Sequence, residues 1–177
     1  MNGVLKKKKG QGGFSLVELA IAMGLIAVFI GGIMAWRGQI SSSNKLNELS
    51  QSVTYMVSGI QRLYNGSYGS ADMTAAVANA GVIKAPLVAS GGTIVDEQGG
   101  TMTVGGAANT FTVQFSTATA ERCKDVASLF INTAPKVEVA STVVKNTLNA
   151  NVAANIGSMG TACDGGTPPI LVKLTFQ

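Results

Sequence analysis

The stretch from Phe14 to Trp36 constrains this chain more than any other part of it: 23 consecutive residues whose only strongly polar members are Ser15 and Glu18. As a helix the run is about 34 Å long, enough to cross a bilayer of roughly 30 Å hydrocarbon. A cleaved secretory signal has a shorter apolar core and a small-residue cleavage site after it, and no such site follows Trp36. The segment is therefore expected to be retained. Lys6, Lys7, Lys8 and Lys9 form one basic run ahead of it. Lysines held on the cytoplasmic side orient a span, which predicts everything after Trp36 on the outer side.

That run also explains the net charge of +4. Without the four lysines, 9 Lys+Arg face 9 Asp+Glu, so the excess is a terminal tag and not a basic folded surface. Direct binding of nucleic acid is not expected. The chain contains no histidine, which excludes His-dependent triads and most zinc sites. No cofactor and no metal are expected, and no nucleophile stands with a base beside it. The turn carboxylates Asp96, Glu97 and Asp164 read as solvated side chains. The Gly-rich pieces Ser90-Gly91-Gly92 and Gly99-Gly100 lack the lysine of a phosphate loop. Two cysteines, Cys123 and Cys163, lie far from the apolar run, and an even pair in an exported chain reads as a disulfide.

The apolar segment is expected to continue as helix. Leu46, Leu49, Val53, Met56, Ile60 and Leu63 recur at spacings of three and four, while Asn47, Glu48, Ser50, Gln51 and Ser58 occupy the opposite face. One helix from residue 14 to residue 64 is predicted, ended by Asn65-Gly66. The stripe spans under three heptads and lacks complementary charges, so it should pack on the chain's own globular domain and not as a coiled coil. Asp72 to Ile83 suggests a short helix capped by Asp72 and ended by Gly81. Strands are expected near Thr93–Val95, Thr101–Val104 and Thr110–Phe115. A helix from Thr119 to Ile131 should turn Val126, Leu129 and Phe130 inward. A strand near Val137–Val144, a Gly- and Asn-rich connection and a last strand at Ile170–Phe176 complete an α+β domain, a long helix packed on an antiparallel sheet.

Glu18 is the residue within the apolar run that needs explaining, because an unpaired charge in hydrocarbon costs several kcal/mol. One reading has it reaching back to headgroups at the cytoplasmic face. The other gives it a buried cationic partner, and no Lys or Arg lies within the run. Cleavage between Gly13 and Phe14 would create one, an α-amino group at the head of the helix. Gly24, Gly31 and Gly32 weaken the same helix; they suit either close packing against neighbouring helices or local melting at Gly31-Gly32.

The basic leader, the Gly13–Phe14 junction, Glu18 and the apolar run together resemble the class III signal of type IV prepilins and pseudopilins. The resemblance implies a leader of residues 1–13, cut after Gly13 by a prepilin peptidase at the cytoplasmic face, and N-methylation of Phe14. It implies that Glu18 neutralises the N-terminal amine of a neighbouring subunit and so sets register. It further implies residues 14–36 as transmembrane and assembly segment and 65–177 as a periplasmic, later extracellular, globular domain. The partners it implies are further copies of the chain in a homopolymer, the inner membrane and the pilus assembly machinery. The finished product would be an extracellular pilus.

The surroundings of the cysteines, Ala120-Glu121-Arg122-Cys123-Lys124 and Ala162-Cys163-Asp164-Gly165-Gly166-Thr167-Pro168-Pro169, resemble those of type IVb major pilins, where a disulfide ties down the so-called D-region. The 13-residue leader and Phe14 follow the type IVa habit instead. A Cys123–Cys163 bridge would close residues 123–163 into a loop of 40 residues. The chain-entropy value for such a loop lies between about 3 and 4.7 kcal/mol. The leading expectation is a major pilin with a role such as cell adhesion; a minor pilin or a type II secretion-like pseudopilin would use the same residues. An exported double-glycine-leader peptide would explain Gly12-Gly13 but would leave Glu18 without a role.

Overall fold

In a computed structural model of the chain, residues 16–69 and 71–177 are described, the side chains of residues 30–43 excepted. The chain divides into two units between Ser42 and Ser43. A helix α1, Leu16–Tyr64, belongs to both. Residues 14 and 15 of the expected helix lie outside the described residues. Asn65 and Gly66 end α1 with φ of 46° and 83°, the left-handed conformation that closes helices. The Asn65 amide bonds back to Gln61 O at 3.0 Å.

The unit Ser43–Gln177 is built around the C-terminal half of α1. Leu49, Val53, Met56 and Ile60 are buried in the core, and Leu46 is half-buried. Asn47, Glu48, Gln51 and Ser58 stay exposed, so the three-four stripe marks a face packed on the chain's own domain. Leu63 departs from the expectation: it is 54% exposed, whereas the next residue, Tyr64, is the one that packs against the core. The segment after α2 (Thr74–Asn79) lies along this half of α1. Ser52 Oγ donates to Ala85 O at 2.5 Å, and the Lys84 ammonium sits 3.9 Å from the centre of the Tyr55 ring.

Helix α2 is shorter than the expected 72–83. Asp72 does not occupy the capping position; it accepts from the Thr74 amide at 2.9 Å from one residue further out. At the other end Ala80 bonds to Val77 O at 3.3 Å and Gly81 takes φ of 71°, which frees Val82 to turn into the core. Hydrogen bonds from Thr74, backbone amide first and hydroxyl second, hold the Asp72 carboxyl below the usual carboxylate range.

Seven antiparallel strands follow: β1 (Val88–Ser90), β2 (Thr93–Val95), β3 (Thr101–Ala107), β4 (Thr110–Thr117), β5 (Lys136–Val139), β6 (Thr142–Asn146) and β7 (Ile170–Phe176), in the order β1-β2-β3-β4-β7-β5-β6. The chain's last strand thus enters the middle of the sheet, between β4 and β5. Phe111, Val113 and Phe115 on β4 are buried in alternation, as a period of two requires, and on β7 Val172, Leu174 and Phe176 are buried, with Thr175 buried between the last two. Tyr68 meets Phe111 at a tilt with centroids 4.8 Å apart, Phe111 stacks on Phe176 at 5.5 Å, and burial pushes the Tyr68 phenol pKa up.

The expected strand at 137–144 is a hairpin, β5 and β6. Ala140 and Ser141 both take positive φ, 46° and 70°, and reverse the chain where no Gly or Asn announces a turn. The expected irregular connection before β7 contains a helix, α4 (Ile156–Gly165), capped by Asn155, whose side chain accepts from Ser158 N at 3.0 Å. Strand β1 was not expected. Helix α3 (Ala120–Phe130) agrees with its expectation, with Thr119 as cap, Val126 and Phe130 buried and Leu129 half-buried.

Candidate functional site

Two regions carry the residues singled out in the sequence. The first is the head of α1. Gly13 and Phe14 lie outside the described residues. Glu18 stands in the first turn of α1 and is exposed, where a carboxylate gains from the positive end of the helix dipole. Around it nine large apolar side chains, Leu16, Val17, Leu19, Ile21, Met23, Leu25, Ile26, Val28 and Phe29, are each more than half exposed. Soluble monomers rarely leave such a surface uncovered. No helix among the described residues is long and apolar enough to cross a membrane; the expected span, residues 14–36, is described with its side chains only over 16–29.

The second region is the pair of helices α3 and α4. Cys123 on α3 and Cys163 on α4 form a disulfide with their Cα atoms 5.7 Å apart, and both are fully buried. The bridge encloses the rest of α3, the β5–β6 hairpin and most of α4. Lys124 Nζ, next in sequence to one cysteine, meets Asp164 Oδ1, next to the other, at 2.6 Å.

Sequence reasoning missed what holds the start of α3. Asp96, expected as a solvated turn carboxylate, is buried to 7% side-chain exposure and receives three hydrogen bonds. Its Oδ1 accepts from Gln98 N at 2.9 Å and Gly100 N at 2.7 Å, and its Oδ2 from the Arg122 guanidinium at 3.0 Å. The signal available was the spacing Asp96-x-x-Gly99-Gly100, a carboxylate placed to cap its own turn. Asp164 and Glu97 are engaged too, Glu97 with Lys45 at 3.9 Å. Among the described residues no three or more His, Cys, Asp or Glu side chains converge as a metal ion would require.

Comparison with known proteins bears on both regions. Residues 8–34 match the prokaryotic N-terminal methylation motif, and residues 43–175 match the family described as PilS N terminal. Among curated proteins none matches the chain. Among solved structures the chain is similar to TcpA, a type IV pilin from Vibrio cholerae El Tor biotype, with a TM-score of 0.58 at 15% identity, over 76% of this chain and 99% of that one. It is similar also to a type IVb pilin from Salmonella typhi, with a TM-score of 0.52 at 14% identity, over 75% of this chain and 97% of that one. At such identities these likenesses speak for the fold, a long helix against an antiparallel sheet. With most of its length matched by one family and its head by the methylation motif, the chain belongs to the PilS N terminal family and is a type IV pilin-like protein.

Proposed function

We propose that this chain is the precursor of a structural subunit, a major pilin, that polymerises through its N-terminal helix into a type IV pilus. In this reading residues 1–13 are a leader removed by prepilin peptidase. Phe14 becomes the methylated N-terminus, residues 14–36 anchor the subunit in the inner membrane and later form the filament core, and residues 65–177 form the outer domain. The other copies of the chain, the inner membrane and the pilus assembly machinery are its partners.

The observation that carries the reading is the coincidence, at one end of one chain, of the methylation motif over residues 8–34 with nine exposed apolar side chains between Leu16 and Phe29. Burying apolar surface yields about 25 cal/mol per Å², so such a helix gains from lipid first and from neighbouring helices afterwards. The pilin fold of the domain adds support, since the solved proteins it is similar to are type IV pilins.

N-terminal sequencing and intact-mass measurement of material sheared from cells test the proposal. The expected result is a chain that begins at Phe14 and carries one extra methyl group. Filaments that still carry Met1, or a sheared fraction without this chain, would overturn it. The share of the chain in those filaments separates a major from a minor subunit.

A further inference from the structure

The unit Ser43–Gln177 carries eight Asp or Glu and eight Lys or Arg, a neutral total. Most are satisfied internally: Lys45–Glu97, Arg122–Asp96, Lys124–Asp164, and Lys136 and Lys173 with Glu138 are ion pairs, and Asp72 is engaged with Thr74. Among the described residues Glu48, Glu121 and Asp125 have no ion-pair partner, nor do Arg62, Lys84 and Lys145. On a chain with only 12% charged residues, such leftovers are few enough to be located one by one.

Glu121 and Asp125 are both exposed on α3, four residues apart and so on one face of the helix. The helix dipole accounts for Glu121 in the first turn but not for Asp125, and like charges at this spacing repel. Arg62 and Lys84 are exposed as well. Lys84 is held over Tyr55, and Arg62 stands seven residues further along α1, about 10 Å away at the helical rise. Glu48 lines the same cleft as Lys84. Lys145 Nζ donates a hydrogen bond to Asn132 O at 3.3 Å, beyond the end of α3.

Among the described residues no ion pair joins the two patches within one copy. Helix α2, from which the chain runs on to Lys84, packs over β1, β2 and β3, whereas α3 packs over β4, β7 and β5. They are complementary in sign yet do not meet within one copy.

We propose that the acidic face of α3, Glu121 with Asp125, docks on the basic strip of Lys84 and Arg62 of a second copy. The contact is heterologous: each copy offers one patch to each of two neighbours, which generates an open chain of subunits and not a closed dimer. It rests on the pilin reading and specifies which domain surfaces meet. Its role is register and selectivity, since exposed ion pairs add little affinity while like charges brought together are costly.

Charge reversal in the full chain, expressed in its own cells, tests the contact. Glu121→Lys with Asp125→Lys, and separately Arg62→Glu with Lys84→Glu, should each lower filament yield about tenfold or more, with processed, disulfide-bonded subunit still in the membrane. Combining the four substitutions should restore most of the yield. Where a reversal prevents the disulfide from forming, the neutral pair Glu121→Gln with Asp125→Asn serves instead. Its filaments should form in lower yield and lack the salt sensitivity expected of wild-type filaments. Wild-type yield from either reversal, loss from one side only, or no recovery in the combination overturns the contact while leaving the pilin reading intact. A wild-type chain that never enters filaments removes both.

Discussion

The Arg122 guanidinium reaches across from the first turn of α3 to Asp96 Oδ2 at 3.0 Å, and so ties the β2–β3 turn to the residue next to the disulfide. Both side chains are largely withdrawn from solvent, at 14% and 7% exposure, and Arg122 Nε is buried with no partner among the described residues. Such a pair gives little net stability as a pair, but removing one member leaves the other charged and buried. Arg122→Met is therefore expected to cost about 3 kcal/mol in denaturant unfolding of the processed subunit. Asp96→Asn should cost less, because an amide oxygen can still accept from Gln98 N and Gly100 N. Equal losses from the two variants would show that the turn, and not the charge, holds α3.

The disulfide acts on the same corner from the other side. Cys123 and Cys163 close a loop of 40 residues, which corresponds to between about 3 and 4.7 kcal/mol of chain entropy. Helix α4 has little else to hold it: of its residues only Met159 and Cys163 are buried. Cys123→Ser should lower subunit level and filament yield together, with α4 and the β5–β6 hairpin losing hydrogen-exchange protection before the β4–β7 pair does. Uniform loss of protection across the sheet would contradict this order.

Gly59 marks a close approach between α1 and the chain beyond α2. A Cβ added there would lie 2.7 Å from Val82 Cγ1 and 2.8 Å from Val82 Cβ, nearer than side chains tolerate. Gly→Ala in a helix ordinarily gains nearly 1 kcal/mol, and here overpacking of roughly 1–3 kcal/mol opposes it. Gly59→Ala should therefore destabilise the domain on thermal melting, and Gly59→Ala with Val82→Ala should recover most of the loss. An increase in stability from the single variant would mean that Val82 moves aside freely.

These features differ in how far the sequence announces them. The stripe from Leu49 to Ile60 and the alternation in β4 and β7 are legible because burial on one face imposes a period, and that period is written in residue type. The β5–β6 hairpin is not, since Val137 to Val144 reads as one strand and the turn uses Ala140 and Ser141 at positive φ, held by pairing of the flanking strands. Helix α4 is hidden by Gly157, Gly160 and Gly165, residues of poor helix propensity; its cap at Asn155 and the bridge to α3 make it a helix. Asp96 was misjudged because its burial depends on Arg122, 26 residues away. Around the head of α1 the reverse holds: Glu18 and the apolar run are evident in sequence, and in the function proposed above their partners are other copies of the chain.

The last prediction rests on the assembly role proposed for Glu18. In a filament whose core is made of apolar helices, the Glu18 carboxylate and the Phe14 amine of a neighbour would satisfy one another. Removing one member of such a buried pair costs about 3–5 kcal/mol, enough to stop the addition of subunits. Before assembly the carboxylate has lipid headgroups and water within reach, so nothing in the monomer depends on it. Glu18→Ala is expected to leave leader cleavage and the Cys123–Cys163 disulfide intact, because the bridge lies in the separate unit Ser43–Gln177. Filaments should be lost while processed subunit accumulates in the membrane. Glu18→Gln keeps the length and hydrogen-bonding capacity without the charge, and should assemble little better than the alanine variant if charge neutralisation is what matters. Filament yield, normalised to processed subunit, decides the matter. Wild-type yield from Glu18→Ala would return Glu18 to an interface-facing residue, and wild-type yield from Glu18→Gln alone would assign the role to a hydrogen bond and not to an ion pair.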